Sequence, residues 1–532
     1  MSTLTADNQT TPSGPVIVQP MEFGLTFKSI FISTLTCLSG IFTGYNAAYG
    51  KGALGLDPFT VNWTQRQAFI IFVLGIGAIL GSIASGDLSD RLGRRPTIIL
   101  GSQLCNIGAI LQAAVPEYTT TVAARCISGI GLGFVSATMM TYICEISPPH
   151  FRAVAMTFYN SGTAVGLLVA LCVSYKTQSY SANTSFRITT AIQILWATLL
   201  GLFWFLPESP RYLVKCGNLT KAKRALAHLR GQPQSLADMD QMPPELGEMI
   251  AHDEHHVRLL PQGRYLTDWA NCFRGPLWVQ RYNSNLRRTI LGVSLMMMQQ
   301  LSGSNALLNF VTVIIKAIDT ISDPFIISLI PTLICVVCLP FSFVVLEVVG
   351  RRNALLWGSA LMLFCHVIIA CTGVADGRMG LALITETLVG EIFPPTIRSR
   401  AIGLSTASYW LWNSVTWILL PYISSADDAR YGSRMYFLWG CLSGCAYVYT
   451  YVLVPETQGL TLEQIDMMLE NTIPRRSTKW IPTTTFVEQR GIDSRDRLRE
   501  AEAQVEAGVE TGAETGEGGH KLEDLTRNTP AA

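Results

Sequence analysis

The side chains best suited to binding chemistry in this chain are uncharged amides inside an apolar stretch. Gln299, Gln300 and Asn305 interrupt a hydrophobic run that begins near residue 290. Polar groups in a membrane-spanning helix are costly and usually functional, and an amide offers both donors and an acceptor. Helical spacing puts the three near one face, which favours binding of a polyhydroxylated ligand. Hydrogen bonding between helices is the alternative interpretation.

Charged motifs form an internal repeat. Three motifs occur twice in the same order. The pairs are Gly86–Arg95 with Leu346–Arg352, Glu145–Arg152 with Glu391–Arg398, and Pro207–Arg211 with Pro455–Gly459. This order predicts two homologous halves. Paired halves with a substrate site at their interface are the architecture of alternating-access carriers.

The paired Arg and Glu elements favour a conformational latch. Ion pairs made in one conformation and broken in the other bias the equilibrium between an inward and an outward state. Plain anchoring of positive charge on the cytosolic side is the alternative. The residues assigned to the latch are Asp90, Arg91, Arg94, Arg95, Glu145, Arg152, Glu208, Arg211, Glu347, Arg351, Arg352, Glu391, Arg398 and Glu456.

Composition indicates a polytopic membrane protein that is all-α. Only 14% of the 532 residues are charged and the mean hydropathy is +0.31, whereas soluble proteins carry roughly 25% charged residues. A net charge of +1 gives no reason to expect a nucleic-acid partner. We expect no enzyme, no catalytic residue and no cofactor, since no nucleotide-cradling glycine loop is present. Glycines 129, 131 and 133 are instead expected to let helices approach closely.

Apolar runs of about 20 residues mark the spans. They predict six spans, a polar insert, and five or six more spans. The predicted organisation is a disordered cytosolic N-terminus at 1–24, a first half at 25–207, a cytosolic helical insert at 208–288, a second half at 289–454, and a cytosolic, largely disordered acidic tail at 455–532. Positive charge orients the loops, and the sequons at Asn62 and Asn183 then fall on the opposite face as glycosylation sites.

The tenth span, near 379–392, is the irregular one. Gly93 and Glu145 are 52 residues apart, whereas the equivalent Gly350 and Glu391 are only 41 apart. The span is therefore truncated, distorted, or lost through an error in the coding sequence. We predict a short tilted helix in which Glu386 faces the protein interior.

Two motifs with metal-like spacing are not expected to bind metal. Cys335 and Cys338 lie in an apolar run without a second ligand pair, and buried cysteines behave as small hydrophobes. The segment His252–His256 lies in a polar stretch and is expected to be a solvated, charged loop. The sequence therefore predicts no metal site.

The motifs resemble those of the sugar porter family of the major facilitator superfamily. The resemblance rests on Pro207–Leu213, Gln299–Asn305 and Pro455–Asp466, and it covers roughly residues 25–470. It implies the major facilitator fold of two six-helix halves with a helical intracellular domain. It also implies solute contacts, and the positions that match the contacting residues are Gln299, Gln300, Asn305, Asn413, Trp410 and Asn160, the last of which replaces a family Gln.

Coupling residues are also implied by this resemblance. Proton-driven relatives carry Asp where this chain has Asn46, near the position of Arg125. An amide does not titrate in the physiological range, which favours facilitation, with Glu386 as an alternative proton carrier.

The expected function is a carrier that moves a sugar or similar small polyhydroxylated solute across a lipid bilayer, in the plasma membrane. The alternatives are a non-transporting nutrient sensor on the same fold, a carrier of a secondary metabolite, and an inactive truncated product.

Overall fold

The computed structural model describes twelve parts of the chain. They are residues 27–53, 63–114, 117–177, 180, 182–230, 243–259, 265–276, 284–303, 324–339, 342–372, 393–424 and 429–482. Every regular element in these parts is a helix, and no strand occurs in them. The all-α fold class is confirmed.

Six long helices build the first half. They are α1 Phe27–Ala53, α2 Trp63–Leu92, α3 Arg94–Ala114, α4 Tyr118–Ile146, α5 Pro149–Thr177 and α6 Ala182–Leu199, which continues as a 3-10 helix, Leu200–Phe205. Helix α1 packs on α5, and both α2 and α3 pack on α4. By length and hydropathy, five stretches of the described residues can cross a membrane, and all five belong to this half.

Four shorter helices form the insert, as the family resemblance implies. They are α7 Pro210–Lys215, α8 Leu219–Leu229, α9 Pro244–Leu259 and α10 Tyr265–Cys272. Val214, Leu226, Leu246 and Ile250 are buried together and give the first three of these helices a small core of their own.

The second half and the segment after it contain the remaining helices. They are α11 Asn285–Leu301, α12 Pro324–Cys338, α13 Ser342–Val348, α14 Arg351–Thr372, α15 Arg398–Ser424, α16 Ala429–Leu453, α17 Leu462–Asn471 and a 3-10 helix, Pro474–Lys479. Thr461 and Gln464 form a capping box at the start of α17, which satisfies the first free amides of the helix. The described chain thus continues through residue 482, beyond the onset of the predicted disordered tail.

Glycines set the spacing between α2 and α4. A Cβ on Gly129 would lie 2.3 Å from the carbonyl oxygen of Leu74, and one on Gly133 would lie 2.2 Å from that of Ala78. Neither gap admits a side chain, so only glycine allows the backbones this close. The role expected for these glycines is confirmed.

The two halves meet along α2 and α15, with further contacts between α4 and α15 and between α5 and α12. Trp410 of α15 is almost fully buried at this boundary. The charged motifs lie at one end of the same helices. Several predicted features lie outside the described residues, namely Asn62, Asn305, Glu386, Glu391 and the tenth span.

Candidate functional site

A cavity of about 40 Å³ lies between the two halves. From the first half it is lined by Thr43, Ser136, Tyr159 and Thr163. From the second half it is lined by Met296, Thr406, Tyr409 and Trp410. Hydroxyl groups and aromatic rings therefore face each other across the boundary between the halves.

Of the predicted solute-binding residues, Trp410 lines this cavity. Gln299 and Gln300 are buried in α11, one helical turn after Met296, so they lie on the side of the helix that faces the cavity. Asn413 is buried in α15 one turn after Trp410. The indole Nε1 of Trp410 donates a hydrogen bond of 3.3 Å to the hydroxyl of Ser136 in the other half.

Three polar atoms of α5 and α15 are buried without a hydrogen-bond partner among the described residues, and one of them belongs to Thr406, which lines the cavity. They are Nδ2 of Asn160, Oγ1 of Thr406 and Oδ1 of Asn413. A buried polar atom left without a partner costs about 1–3 kcal/mol. One donor and one acceptor in this set therefore mark where a ligand's hydroxyl groups would be stabilised.

Asn46 lies in a buried amide pair. Its Nδ2 donates to the carbonyl of Phe42 at 2.8 Å, and its Oδ1 accepts from Nε2 of Gln193 at 2.5 Å. Arg125 is buried in α4. Gln193 was not predicted as a site residue, although a lone Gln in an apolar span is the same signal that identified Gln299.

A bidentate ion pair joins two predicted latch residues. Arg94 donates from Nε to one oxygen of Glu145 at 2.8 Å and from its second terminal nitrogen to the other oxygen at 2.9 Å. Asp90 and Ser399 add further hydrogen bonds to the same guanidinium. The hydroxyl of Ser209 donates to Glu145 at 2.5 Å. Charged groups this deeply buried are stabilised only by such complete pairing.

Ion pairs also cross between the halves. Arg400 of α15 donates to Asp87 of α2 at 2.9 Å and lies 3.4 Å from Asp90. The hydroxyl of Ser399 donates to Asp90 at 2.8 Å, and the guanidinium of Arg398 lies 3.9 Å from Glu145. These contacts join the two halves at the end of the helices that carries the charged motifs. Asp87 and Arg400 were not predicted for the latch, although both adjoin motif residues.

Glu208 and Glu456 contact backbone amides rather than arginine side chains. Glu208 accepts from the amide of Arg94 at 3.0 Å, and Glu456 accepts from the amides of Arg351 at 2.8 Å and Arg352 at 3.1 Å. Both carboxylates therefore cap the first turn of a helix, α3 in one half and α14 in the other, where the helix dipole favours negative charge. The guanidinium of Arg94 also attracts the carboxylate of Glu208 electrostatically.

Glycines explain this symmetric capping. Gly93 and Gly350 have positive φ values of 102° and 87°, which glycine adopts without steric cost. A Cβ at either position would lie within 2.6 Å of an oxygen of Glu208 or Glu456. The repeat predicted from the sequence is therefore present as two copies of one turn.

Other predicted latch residues lie elsewhere. The side chains of Arg91 and Glu347 are exposed, and Arg91 contributes its carbonyl to the hydroxyl of Tyr212 at 2.9 Å. Arg95 donates to the carbonyl of Leu206 at 3.2 Å. Arg152 is buried near the start of α5.

The segment after the second half also contacts the insert. Arg211 lies 2.5 Å from Glu463 of α17. Burial alone would raise the pKa of Glu463, but Arg211 and His252 outweigh it and lower the pKa. Asp466 behaves in the same way, because Arg288 and two histidines hold its pKa well below the usual range against the effect of burial.

Among the described residues, two helical halves with a cavity between them and a charged seam on one side have the arrangement of a major facilitator fold. The chain belongs to the sugar (and other) transporter family, whose model matches residues 27–469. It is therefore an integral, multi-pass membrane protein and a member of the sugar porters, as the motifs indicated.

Relatives and solved structures agree with this assignment. The chain is 28% identical over 459 residues to the low-affinity glucose transporter HXT1 of Saccharomyces cerevisiae, covering 80% of this chain and 76% of that one. It is 26% identical over 500 residues to the high glucose sensor RGT2 of the same yeast, covering 87% and 64%. None of these relatives is an enzyme by name.

Among solved structures, the proton:xylose symporter XylE bound to 6-bromo-6-deoxy-D-glucose aligns with a TM-score of 0.70 at 23% identity, covering 83% of this chain and 99% of XylE. The inward open conformation of XylE from E. coli aligns with a TM-score of 0.57 at 22% identity, with the same coverage. At this identity the likeness shows the fold.

Proposed function

We propose that this protein carries a sugar or similar small polyhydroxylated solute across a membrane by alternating access, more specifically by facilitated movement down the solute gradient. The observation that carries the proposal is the cavity between the halves, together with two buried amide atoms that lack a partner among the described residues, Nδ2 of Asn160 in the first half and Oδ1 of Asn413 in the second. A hydroxyl group both donates and accepts, so one class of solute satisfies both atoms.

Aromatic side chains complete this chemistry. The rings of Tyr409 and Trp410 meet edge to face with centroids 5.3 Å apart, and both residues line the cavity. An aromatic face packs against the apolar C–H surface of a pyranose, while the amides contact its hydroxyl groups. We assign Gln299, Gln300 and Asn305 to the same task, from their positions on and after α11.

Alternating access requires the cytosolic contacts to break. The pairs between Arg400 and Asp87 and between Arg398 and Glu145 close this side of the molecule. Opening toward the cytosol separates α15 from α2 and exposes these charges to water, which then solvates them. The contacts thus add to the stability of the outward-facing state without touching the solute.

Facilitated movement is favoured by the neutral pair of Asn46 and Gln193. Neither amide takes up or releases a proton in the physiological range, and their hydrogen bond is 2.5 Å long. The family resemblance implies an Asp at the position of Asn46 in proton-driven carriers. Proton coupling would then need another titrating group near Arg125.

A panel of labelled solutes tests this function directly. The full chain is expressed in cells that lack their own hexose carriers, and uptake of glucose, xylose and a linear polyol is measured, together with localisation at the plasma membrane. Saturable uptake of at least one solute is expected. Uptake equal to that of cells without the protein, for every solute, contradicts the proposal.

A nutrient sensor is the second candidate, and the similarity to RGT2 favours it. A sensor binds solute in the same cavity but transports none. Solute-dependent thermal stabilisation of the purified protein, combined with no uptake, would establish the sensor in place of the carrier.

A further inference from the structure

Two histidines and an aspartate meet between the insert and the segment after the second half. Nε2 of His252 lies 2.6 Å and Nε2 of His256 lies 2.7 Å from the same oxygen, Oδ2 of Asp466. The side chains are 1%, 6% and 5% exposed. The expected solvated loop is wrong: these histidines belong to helix α9 and are buried against α17.

The three residues have the chemistry of a transition-metal site. His252 and His256 are four residues apart on one helix, so both rings project from the same face. Imidazole nitrogen and carboxylate oxygen are the ligands that Zn²⁺ takes at about 2.0–2.2 Å, and three protein ligands leave the fourth tetrahedral position open. The three ligand atoms lie within 4.8 Å of one another.

We propose that His252, His256 and Asp466 form a binding site for a divalent transition-metal ion of the Zn²⁺ type. Without metal, both Nε2–H groups donate to Asp466. With metal, Nε2 of each ring becomes the ligand and the proton of each neutral ring resides on Nδ1. The ligand atoms then separate to about 3.3 Å, as tetrahedral bonds of this length require.

Neighbouring charged residues orient the ligand atoms of the histidines and the aspartate. Glu463 lies 3.8 Å from Nδ1 of His252, where a carboxylate orients a metal-bound imidazole. Arg288 engages the other oxygen, Oδ1, of Asp466 and leaves Oδ2 directed at the histidines.

The location gives the site a consequence beyond solute transport. Helix α9 belongs to the insert and α17 follows the second half, while Arg288 lies in the first turn of α11. A metal ion here ties these segments together beside the pair of Arg211 and Glu463. Bound metal therefore stabilises the closed cytosolic face and slows its opening.

Metal binding to the purified full-length protein, with any affinity tag removed, tests the site. Zn²⁺ is titrated by calorimetry, and thermal unfolding is followed with and without Zn²⁺. We expect one equivalent to bind and to raise the midpoint of unfolding. Co²⁺ in the same site should give the visible absorption bands of tetrahedral coordination.

The matched control is His255→Gln, since His255 lies in the same helix with its ring 5.6 Å from that of His256. This variant should bind Zn²⁺ as the parent does. The double variant His252→Gln/His256→Gln removes two ligands and should bind Zn²⁺ more than about 100-fold more weakly than the parent. That loss exceeds the roughly 10- to 100-fold loss caused by removing a residue that only hydrogen-bonds to a ligand. If the double variant does not elute as a folded protein, Asp466→Asn replaces it in the titration. This variant should also bind Zn²⁺ more weakly than the parent.

Three results would overturn the proposal. They are no stoichiometric binding of Zn²⁺ by the parent, equal binding by the parent and the ligand variants, and a response to acid in unfolding without any response to Zn²⁺. Because binding and unfolding are measured without solute, failure of this site is distinguishable from failure of the proposed carrier function.

Discussion

Arg400 and Asp87 form a hydrogen-bonded ion pair of 2.9 Å that joins the second half to the first. The other oxygen of Asp87 accepts from the indole nitrogen of Trp269 in the insert at 2.8 Å. One carboxylate therefore connects three parts of the chain that are distant in sequence. Any movement that opens the cytosolic side must break this contact or carry all three parts together.

Removing Arg400 should open the cytosolic side. A hydrogen bond to a charged group contributes about 1.5–3 kcal/mol, so Arg400→Ala should raise the ratio of inward-open to closed protein roughly ten- to hundredfold. Cys272 reports the change, because it is fully buried beside the seam and burial raises the pKa of its thiol to about 12. Labelling by a cytosolic maleimide, read by mass spectrometry of the peptide, should accelerate.

Arg91→Ala is the control for that experiment, since the side chain of Arg91 is exposed on the same face. In Arg91→Ala, Cys272 should be labelled at the same rate as in the parent. Equal labelling of Cys272 in Arg400→Ala and the parent would leave the arginine as a topology anchor alone.

Glu456 should contribute to stability through its helix cap. Its carboxylate accepts from the amides of Arg351, Arg352 and Thr457, so Glu456→Ala should lower the free energy of unfolding by about 2 kcal/mol. Glu456→Gln, which keeps an acceptor, should cost less. Thermal unfolding of the purified protein measures both.

Glu347→Ala is the matched control, because Glu347 carries an exposed carboxylate in the neighbouring motif Leu346–Arg352. It should change the free energy of unfolding by no more than about 0.5 kcal/mol. A loss for Glu347→Ala as large as that for Glu456→Ala would refute the capping role.

Asn413 should matter for the solute more than for the fold. Its Oδ1 has no hydrogen-bond partner among the described residues, so we expect Asn413→Ala to weaken solute binding more than folding. We expect KM for uptake to rise roughly ten- to hundredfold, from a lost hydrogen bond of about 1–3 kcal/mol, with unfolding unchanged. Gln300→Ala should behave alike, whereas Gln103→Ala, at an exposed position in α3, should transport normally.

Asn46 provides the test of coupling. Uptake by the parent should reach the external concentration and no more, and a protonophore should not reduce it, because the pair of Asn46 and Gln193 does not titrate. Asn46→Asp places a titratable carboxylate against Gln193 and should make uptake depend on pH. Concentrative uptake by the parent that collapses with the proton gradient would contradict facilitation.

Local pattern in the sequence was enough to predict the repeat and the helices. Apolar runs and duplicated motifs identified the two halves, and the glycines of α4 identified a close helix contact, which Gly129 makes with Leu74. These features depend on composition or on residues near one another in the sequence, so the sequence pattern is sufficient to predict them.

Contacts between side chains that are far apart in the sequence could not be predicted from local sequence pattern. Asp466 contacts His252 and His256, although more than 200 residues separate it from them in the sequence. No residue near the histidines in the sequence indicates that they are buried. Glu208 was predicted as a partner of arginine side chains, yet the positive φ of Gly93 turns the next backbone amides toward its carboxylate instead. Only the folded chain shows which donor is nearer.

Counterflow in liposomes tests the central claim most directly. Purified full-length protein is reconstituted in vesicles loaded with unlabelled D-glucose, and entry of a trace of labelled D-glucose is followed, with L-glucose as the stereochemical control. We expect transient accumulation of the D isomer, none of the L isomer, and persistence of the signal with a protonophore. If glucose is not the solute, another sugar or polyol from the uptake panel should replace it in this assay. Entry equal to that of protein-free vesicles for every solute tried would contradict a carrier.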